Sequence, residues 1–525
     1  MVRKAKELKT WWQGLSEKWQ KLFLINHAFS YKFSDNERQK IDLTQSPFYN
    51  YEKIYHQTFV LYTPSTQQLY EILNLGYFDC RNCGLTSLAE LTVLSNLESL
   101  NASHNKLTQL LALEGLNLLQ ELILNNNSLK SFQQLPAFPQ LSCLNLCANQ
   151  LKDCAGIERF SQLKELKLAW NLFLKDIQTI SEIAGLEKLD LSNTSVAEIS
   201  ALSRLTQLNT LNLAKNKKIN QIENLASLGN LVHLNLHHNQ ISDLSPLANL
   251  SELKVLDLSK NEVQDVSPLT SLPQLQKLSL QNNQIRQIQA LRQHIHLEEL
   301  NLSHNQLFSL SGIENCVQLS VLYCAGNQLS SLKGIENLTQ IRQLDCAKNQ
   351  LLELEGLQAL VELQILDSSF NQLTHLHHLA ELSELTHLHL HHNQIHDLEH
   401  LAELYSIEHL DLHNNRLSDL RGISQLISLE WLNLSFNEIE ELEPLTHLRK
   451  LTHLYCQSNK IQDVSPINML LSLENLYCSY NKIRSLDPLQ HLPVLAFIEK
   501  EGNPLTTIGD EMFSCNANGG EIRIV

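Results

Sequence analysis

From Leu75 to about Leu505 the chain repeats one arrangement of apolar and polar positions. The stretch Leu231 to Glu252, LVHLNLHHNQISDLSPLANLSE, shows it: L-x-x-L-x-L-x-x-N-x-L, followed by x-x-L-x-x-L-x-x-L. The next copy begins at once with Leu253. Aligned on the Asn, there are 20 copies, from Cys83, Asn105 and Asn127 through to Asn503, with Thr194 the only other departure from Asn. The spacing is 22 residues, except for one extra residue between Asn171 and Thr194 and one between Asn216 and Asn239. One copy cannot bury its own apolar face, so the copies must stack into a continuous core. A single extra loop residue costs little, so the array is expected to run through both insertions.

The first half of each copy, such as Leu234-Asn-Leu, alternates apolar and polar residues, the period of a half-buried strand. Leu234 and Leu236 are expected in the core, with His233, Asn235 and His237 on the opposite face. Successive strands should run parallel. The repeated Asn falls where the chain leaves the strand, and its amide carries both donors and acceptors for the buried turn. Cys83 and Thr194 are then the weak rungs. In the second halves, Ser245-Pro246, Ser267-Pro268, Ser465-Pro466 and Asp487-Pro488 read as an N-cap followed by Pro at the first helical position. Few residues remain before the next strand, so these helices should be short and 3₁₀ in type.

These repeats resemble the leucine-rich repeat family, especially its 22-residue class, which includes the bacterial internalins and the regulatory subunit of protein phosphatase 1. The resemblance implies an α/β solenoid: an arc with a parallel, strand-lined concave sheet that binds other proteins, and short 3₁₀ turns on the convex side. The expected organisation is an N-terminal helical cap over 1–74, the solenoid over 75–505 and a C-terminal cap over 506–525.

Outside the repeats the pattern changes. Lys4 to Ile25 carries Leu8, Trp11, Trp12, Leu15, Trp19, Leu22 and Phe23 at helical spacing. An exposed solenoid end needs a cover, so this reads as a helical cap, with an amphipathic docking helix as the alternative. A second helix is expected near Ser46 to Leu61, and a third over Ser65 to Leu73, where Ser65 and Gln68 fit a capping box. At the far end, Ile508, Met512 and Phe513 are expected to close the core. Gly519-Gly520 and the residues after it should form a turn and a last edge strand. No catalytic module or wall-sorting signal is expected after Leu505, and the first residues do not read as a signal peptide.

A formal charge of −16, from 56 acidic and 40 basic residues, argues against a nucleic-acid partner and suits a basic protein partner. No run of residues is apolar for long enough to span a bilayer. The cysteines number 11. Cys80, Cys324, Cys346, Cys456 and Cys478 occupy the second leucine position of the strand and read as small buried side chains. Cys143 and Cys147 lie about 13 Å apart on one strand and cannot bridge. Cys80-Arg-Asn-Cys83 lacks a second pair, which argues against zinc. Free buried thiols suit a reducing compartment, so a cytoplasmic location is expected, with a specialised secretion route as the alternative.

Two departures from plain repeats mark a candidate site. Tyr323, Phe370, Trp431, Phe436, Tyr455, Tyr477, Tyr480 and Phe497 map to concave or rim positions, as exposed interface residues do. Trp431 and Tyr455 are natural anchors. The alternative is that neighbouring rings only stack on one another across strands. The chain also holds 23 histidines, many within 375–413. His387, His389 and His391 alternate along one strand, with His409, Asp411 and His413 beside them one copy on and His453 further along. His387, His389, His391, His409, Asp411 and His413 are six candidate ligands for Zn²⁺, although no metal or other cofactor is expected to be required. Charging of several imidazoles near pH 6 would make partner binding pH-dependent. Asn101, Asp190, Asn212, Asp257 and Asn301 read as solvent-facing filler. No phosphate loop, metalloprotease or nucleophile-elbow motif occurs. The expected function is a non-enzymatic scaffold binding a protein through the concave face. The alternatives are a regulatory subunit of a phosphatase or similar enzyme, and a secreted effector or adhesin.

Overall fold

The computed structural model describes residues 2–30, 61–506 and 516–525. They fall into two compact units, Met1–Ile241 and Ser242–Val525. Calls on 31–60 and 507–515 lie outside the described residues. Those are the helix near Ser46 and the closing residues Ile508, Met512 and Phe513.

In the first unit, helices α1 (Val2–Gly14), α2 (Glu17–Ser30) and α3 (Thr66–Leu73) precede the strands. The single helix expected over Lys4–Ile25 is broken between Gly14 and Glu17, where glycine is the poorest non-proline helix former. The turn lets both halves present apolar side chains to one place. Trp12, Trp19, Leu22 and Phe23 are buried, and Phe23 meets Phe78 of the first strand at 5.2 Å between ring centroids. Asn26 then pairs with the backbone of that edge strand. Its Nδ2 donates to Asp79 O at 2.9 Å and its Oδ1 accepts from Asp79 N at 2.7 Å. The Ser65–Gln68 capping box is present at the start of α3.

Eight three-residue strands follow among the described residues, from Tyr77–Asp79 to His233–Asn235, all parallel. The two insertions leave the register intact, with Leu166 opposite Leu189 and Leu211 opposite Leu234. The first insertion emerges as a surface bulge. Trp170, Leu172 and Phe173 are each more than half exposed there.

The second unit continues the pattern from Val255–Asp257 to Phe497–Glu499, and the C-terminal Arg523–Ile524 adds a last parallel strand. Each copy buries its leucine-type positions almost completely; in one copy Leu404, Ile407, Leu410, Leu412 and Leu417 are all fully buried. Each such side chain contributes about 1.5–3 kcal/mol. Cys324, Cys346, Cys456 and Cys478 sit among them, also fully buried, as Cys80 is in the first unit. Burial pushes the Cys346 and Cys478 thiols up to about 12, so they are poor nucleophiles and poor metal ligands. All ten described cysteines are free.

The Asn column is a hydrogen-bond ladder. Asn437 is typical: Nδ2 donates to Leu412 O of the preceding copy and to Leu434 O of its own, both at 3.0 Å, and Oδ1 accepts from Leu417 N at 3.0 Å. Thr194 is indeed a lesser rung. Its one hydroxyl proton is shared between Leu191 O at 3.1 Å and Asn216 Oδ1 at 2.6 Å.

Two expectations are corrected. The 3₁₀ turns begin one residue earlier than the Ser-Pro reading placed them, with Ser245 inside the turn and Leu244 at the cap position. The capping group is Asp243, whose carboxylate accepts from Ser245 N at 2.8 Å and Ser245 Oγ at 2.7 Å. Asp265 and Asp463 do the same for Ser267 and Ser465. A carboxylate two residues upstream reaches a backbone N–H that the serine, already in the turn, cannot. The second correction concerns Asn101, Asp190, Asn212, Asp257 and Asn301. Each side-chain oxygen accepts the N–H two residues on, at 2.9–3.1 Å, so they fix the strand exit.

Candidate functional site: a ladder of rings on the second unit

The strand-exit position shows where the chain departs from what the fold favours. In most copies it is Asn or Asp, which closes a local turn worth about 0.5–1.5 kcal/mol. At Tyr323, His389, Tyr455 and Tyr477 a ring replaces it, and a ring cannot make that bond.

The rings assemble. Stepping across six successive strands, His387 stacks on His409 at 5.6 Å and His409 on Trp431 at 4.0 Å and 6°. Trp431 meets Tyr455 at 5.1 Å, Tyr455 stacks on Tyr477 at 4.2 Å, and Tyr477 meets Phe497 at 5.0 Å. All six are partly exposed. The line shifts sideways between Trp431 and Tyr455, because the residue directly opposite Trp431 is His453. Hydrogen bonds hold that imidazole at both nitrogens: Nε2 accepts from Asn475 Nδ2 at 2.9 Å and Nδ1–H donates to Thr452 Oγ1 at 2.9 Å. Tyr323 stands apart, with Asn301 and Asp345 as its register neighbours.

A second row flanks the ladder. Phe370, Phe436 and Tyr480 precede the column Asn and adopt φ of 52°, 57° and 56°. They are 40%, 52% and 56% exposed. The left-handed region is unfavourable for bulky residues by about 1–2 kcal/mol, so the fold does not select rings there.

The histidines divide by role. His387, His389 and His409 belong to the ladder, with His389 5.1 Å from His409. Burial, then His389 and His387 beside it, push the His409 pKa down to about 4. His391 and His392 are also held below the ordinary value, chiefly by burial. Charging of these three rings therefore falls below the window near pH 6 that unperturbed imidazoles would give. Asp411 is not available as a direct ligand. It is buried, and its carboxylate accepts from His413 N at 3.2 Å and pairs with His413 Nδ1 at 2.6 Å.

The six expected ligands do not converge as a set. His391 and His413 converge instead with His392, one nitrogen of each ring lying within 4.8 Å of the other two. The sequence reading missed His392 because strict strand alternation sends it away from His391. The signal was its place before the column Asn. That position holds Asn in several copies, among them Asn82, Asn126, Asn282 and Asn414, all at positive φ. There the backbone turns over and brings consecutive side chains to one side. The exposed Trp170, Leu172 and Phe173 were also missed; their signal is apolar residues at an insertion. A shallow groove of about 610 Å³ elsewhere in the second unit is lined by polar residues, including Arg342 and Glu362 in an ion pair. Among the described residues no helix is long and apolar enough to cross a membrane.

The family model for leucine-rich repeats matches eight segments between residues 184 and 493, together more than half of the chain. The chain belongs to the leucine-rich repeat family. Among solved structures, a leucine-rich repeat protein of Leptospira interrogans is 25% identical, over 88% of this chain and 99% of that one, with a TM-score of 0.53. The Arabidopsis receptor kinase HAESA, solved with a peptide hormone and a co-receptor, is 21% identical, over 82% and 75%, with a TM-score of 0.61. TLR13, solved with a single-stranded RNA, is 22% identical, over 87% and 79%, with a TM-score of 0.58. No curated protein matches the chain.

Proposed function

We propose that the chain is a non-enzymatic scaffold that captures a protein partner on the strand face of the second unit. The ring ladder and the flanking Phe370, Phe436 and Tyr480 form the contact. One observation carries this reading: a row of rings crosses six strands, in which Tyr455 and Tyr477 replace the Asn or Asp of most copies, flanked by Phe370, Phe436 and Tyr480 at left-handed backbone positions. Each of these named residues forgoes a local hydrogen bond or sits in an unfavourable backbone region. Aromatic side chains in a contiguous, partly exposed row supply large contact area with few rotatable bonds, as protein interfaces require. Family membership supports an interaction role, since such repeats present extended binding surfaces. The formal charge of −16 favours a basic protein over nucleic acid. The ten described cysteines, all free, favour a reducing, cytoplasmic setting.

The test is affinity capture with the full chain, identification of the partner, and measurement of its Kd. Trp431→Ala combined with Tyr455→Ala should weaken binding at least ~100-fold, as loss of two anchors does. Trp170→Ser in the first unit should leave Kd unchanged. Wild-type affinity in the double variant sinks the proposal, as does capture of RNA instead of protein.

A further inference from the structure

We infer that His391, His392 and His413 form a binding site for a divalent transition-metal ion of the Zn²⁺ type. The site adjoins the partner contact proposed above at Phe370, and its test does not require the partner.

Three observations place it. The first is convergence: one nitrogen of each ring lies within 4.8 Å of the other two. Nδ1 of His391 and Nδ1 of His392 face each other at 3.0 Å. Two ligands on a tetrahedral Zn²⁺ with Zn–N bonds of about 2.05 Å sit about 3.3 Å apart. The pair is thus a few tenths of an ångström from ligand spacing.

The second is orientation. His413 pairs through Nδ1 with the buried Asp411 carboxylate at 2.6 Å. That fixes the tautomer in which Nε2 carries the lone pair. A carboxylate holding the far nitrogen of a ligating imidazole is the usual outer-shell arrangement at zinc, and its loss typically costs 10–100-fold in affinity. Asp411 Oδ1 also accepts the strand-exit bond from His413 N, so two bonds to one oxygen hold the carboxylate in place.

The third is support. His392 stacks on Phe370 at 4.1 Å, and the Asn414 side-chain amide lies 3.3 Å from its Nε2; with that amide turned so that its oxygen accepts Nε2–H, Nδ1 carries the lone pair a metal needs. Its ring is held while Nδ1 points at His391. The His391 and His413 rings stack at 4.3 Å and 13°. Ligation in the plane of both rings requires one of them to turn about its ring torsion, a soft two-fold rotation. All three rings are partly exposed, so an ion can enter and a fourth position stays open to water or to another molecule. Three imidazoles select Zn²⁺, Co²⁺, Ni²⁺ or Cu²⁺ over Mg²⁺ and Ca²⁺, which prefer oxygen.

The described residues hold a second grouping, Glu353, His377 and His378, in which two members are exposed. It lacks a buried carboxylate orienting a ring, and it serves as the internal control.

The experiment is calorimetric titration of ZnCl₂ into the full chain at pH 7.4, without an affinity tag and after chelator treatment. Co²⁺ absorption in the visible reports the ligand field. One tight equivalent is expected. His391→Gln and His392→Asn should each weaken it at least tenfold; Asn tolerates the left-handed backbone at 392. Asp411→Asn should weaken it about 10-fold or more. His377→Gln with His378→Gln should leave the tight equivalent in place. Circular dichroism and chelator-treated melting curves confirm that the variants fold. The inference is overturned if wild type binds no tight equivalent, if His391→Gln and His392→Asn both retain it, or if the His377/His378 variant loses it.

Discussion

The two units use the same repeat and present different faces. In the first, the strand face carries Glu165, Lys167 and Lys188, with Lys167 Nζ 2.6 Å and Lys188 Nζ 3.5 Å from Glu165, and the strand-exit positions are mostly Asn or Asp. In the second, from His387 to Phe497, rings form a continuous row across the strand face, and at His389, Tyr455 and Tyr477 they take the strand-exit position itself. The core is alike in both, with leucine positions buried and the Asn ladder making the same bonds. Folding constrains the inward positions tightly and the outward ones weakly. A region where the outward positions also break the fold's own preferences has been shaped by something else.

The comparison can be broken first at the shared part. Asn149→Ala and Asn437→Ala each remove a side chain making matching bonds to the preceding copy, its own copy and a backbone N–H. Each should cost about 3 kcal/mol, because buried carbonyls and an N–H lose partners. Urea denaturation should give similar losses; a loss in only one unit would show that the ladders are not equivalent. At the second unit alone, Phe436→Asn should raise stability by about 1 kcal/mol, since Asn accepts the left-handed backbone. The same change should weaken partner binding. A variant that is more stable and binds normally would make Phe436 irrelevant to function.

The smallest effect expected is a pH effect at His409. Its folded-state pKa of about 4 lies below the unfolded value near 6.5. Between these values the unfolded chain binds the extra proton, so stability is full above pH 6.5 and falls as pH drops toward 4. His387, His389 and Asp411 face the ring, and its partial exposure keeps the slope well below that of full burial. Urea midpoints from pH 7 to 4 should fall less steeply in His409→Gln. Equal slopes would remove the claim.

The fold was readable because it depends on residues that tolerate little substitution. Leucine at most inward positions and Asn at all but two of the bends recur through the copies, and their spacing alone fixes register. The ladder was readable in part. Trp431, Tyr455 and Tyr477 were placed on one face by strand alternation, and the structure stacks them. What escaped was geometry that alternation does not describe. The backbone reversal before each column Asn swings His392 toward His391, and the Asp243-type cap lies outside the helix-start pattern. Asp411 was misassigned for a related reason: sequence shows a carboxylate among imidazoles, while its burial and its bond to His413 appear only in three dimensions.

Asn26 has a consequence of another kind. A stack in which every coil offers its neighbour the same hydrogen bonds has no built-in length, and a bare terminal strand would accept a coil from a second molecule as readily as one from its own chain. By occupying the amide and carbonyl of Asp79, one side chain on α2 stands in for the coil that would otherwise lie there. It makes that end of the sheet a terminus instead of a template, and so guards the protein against growing into filaments.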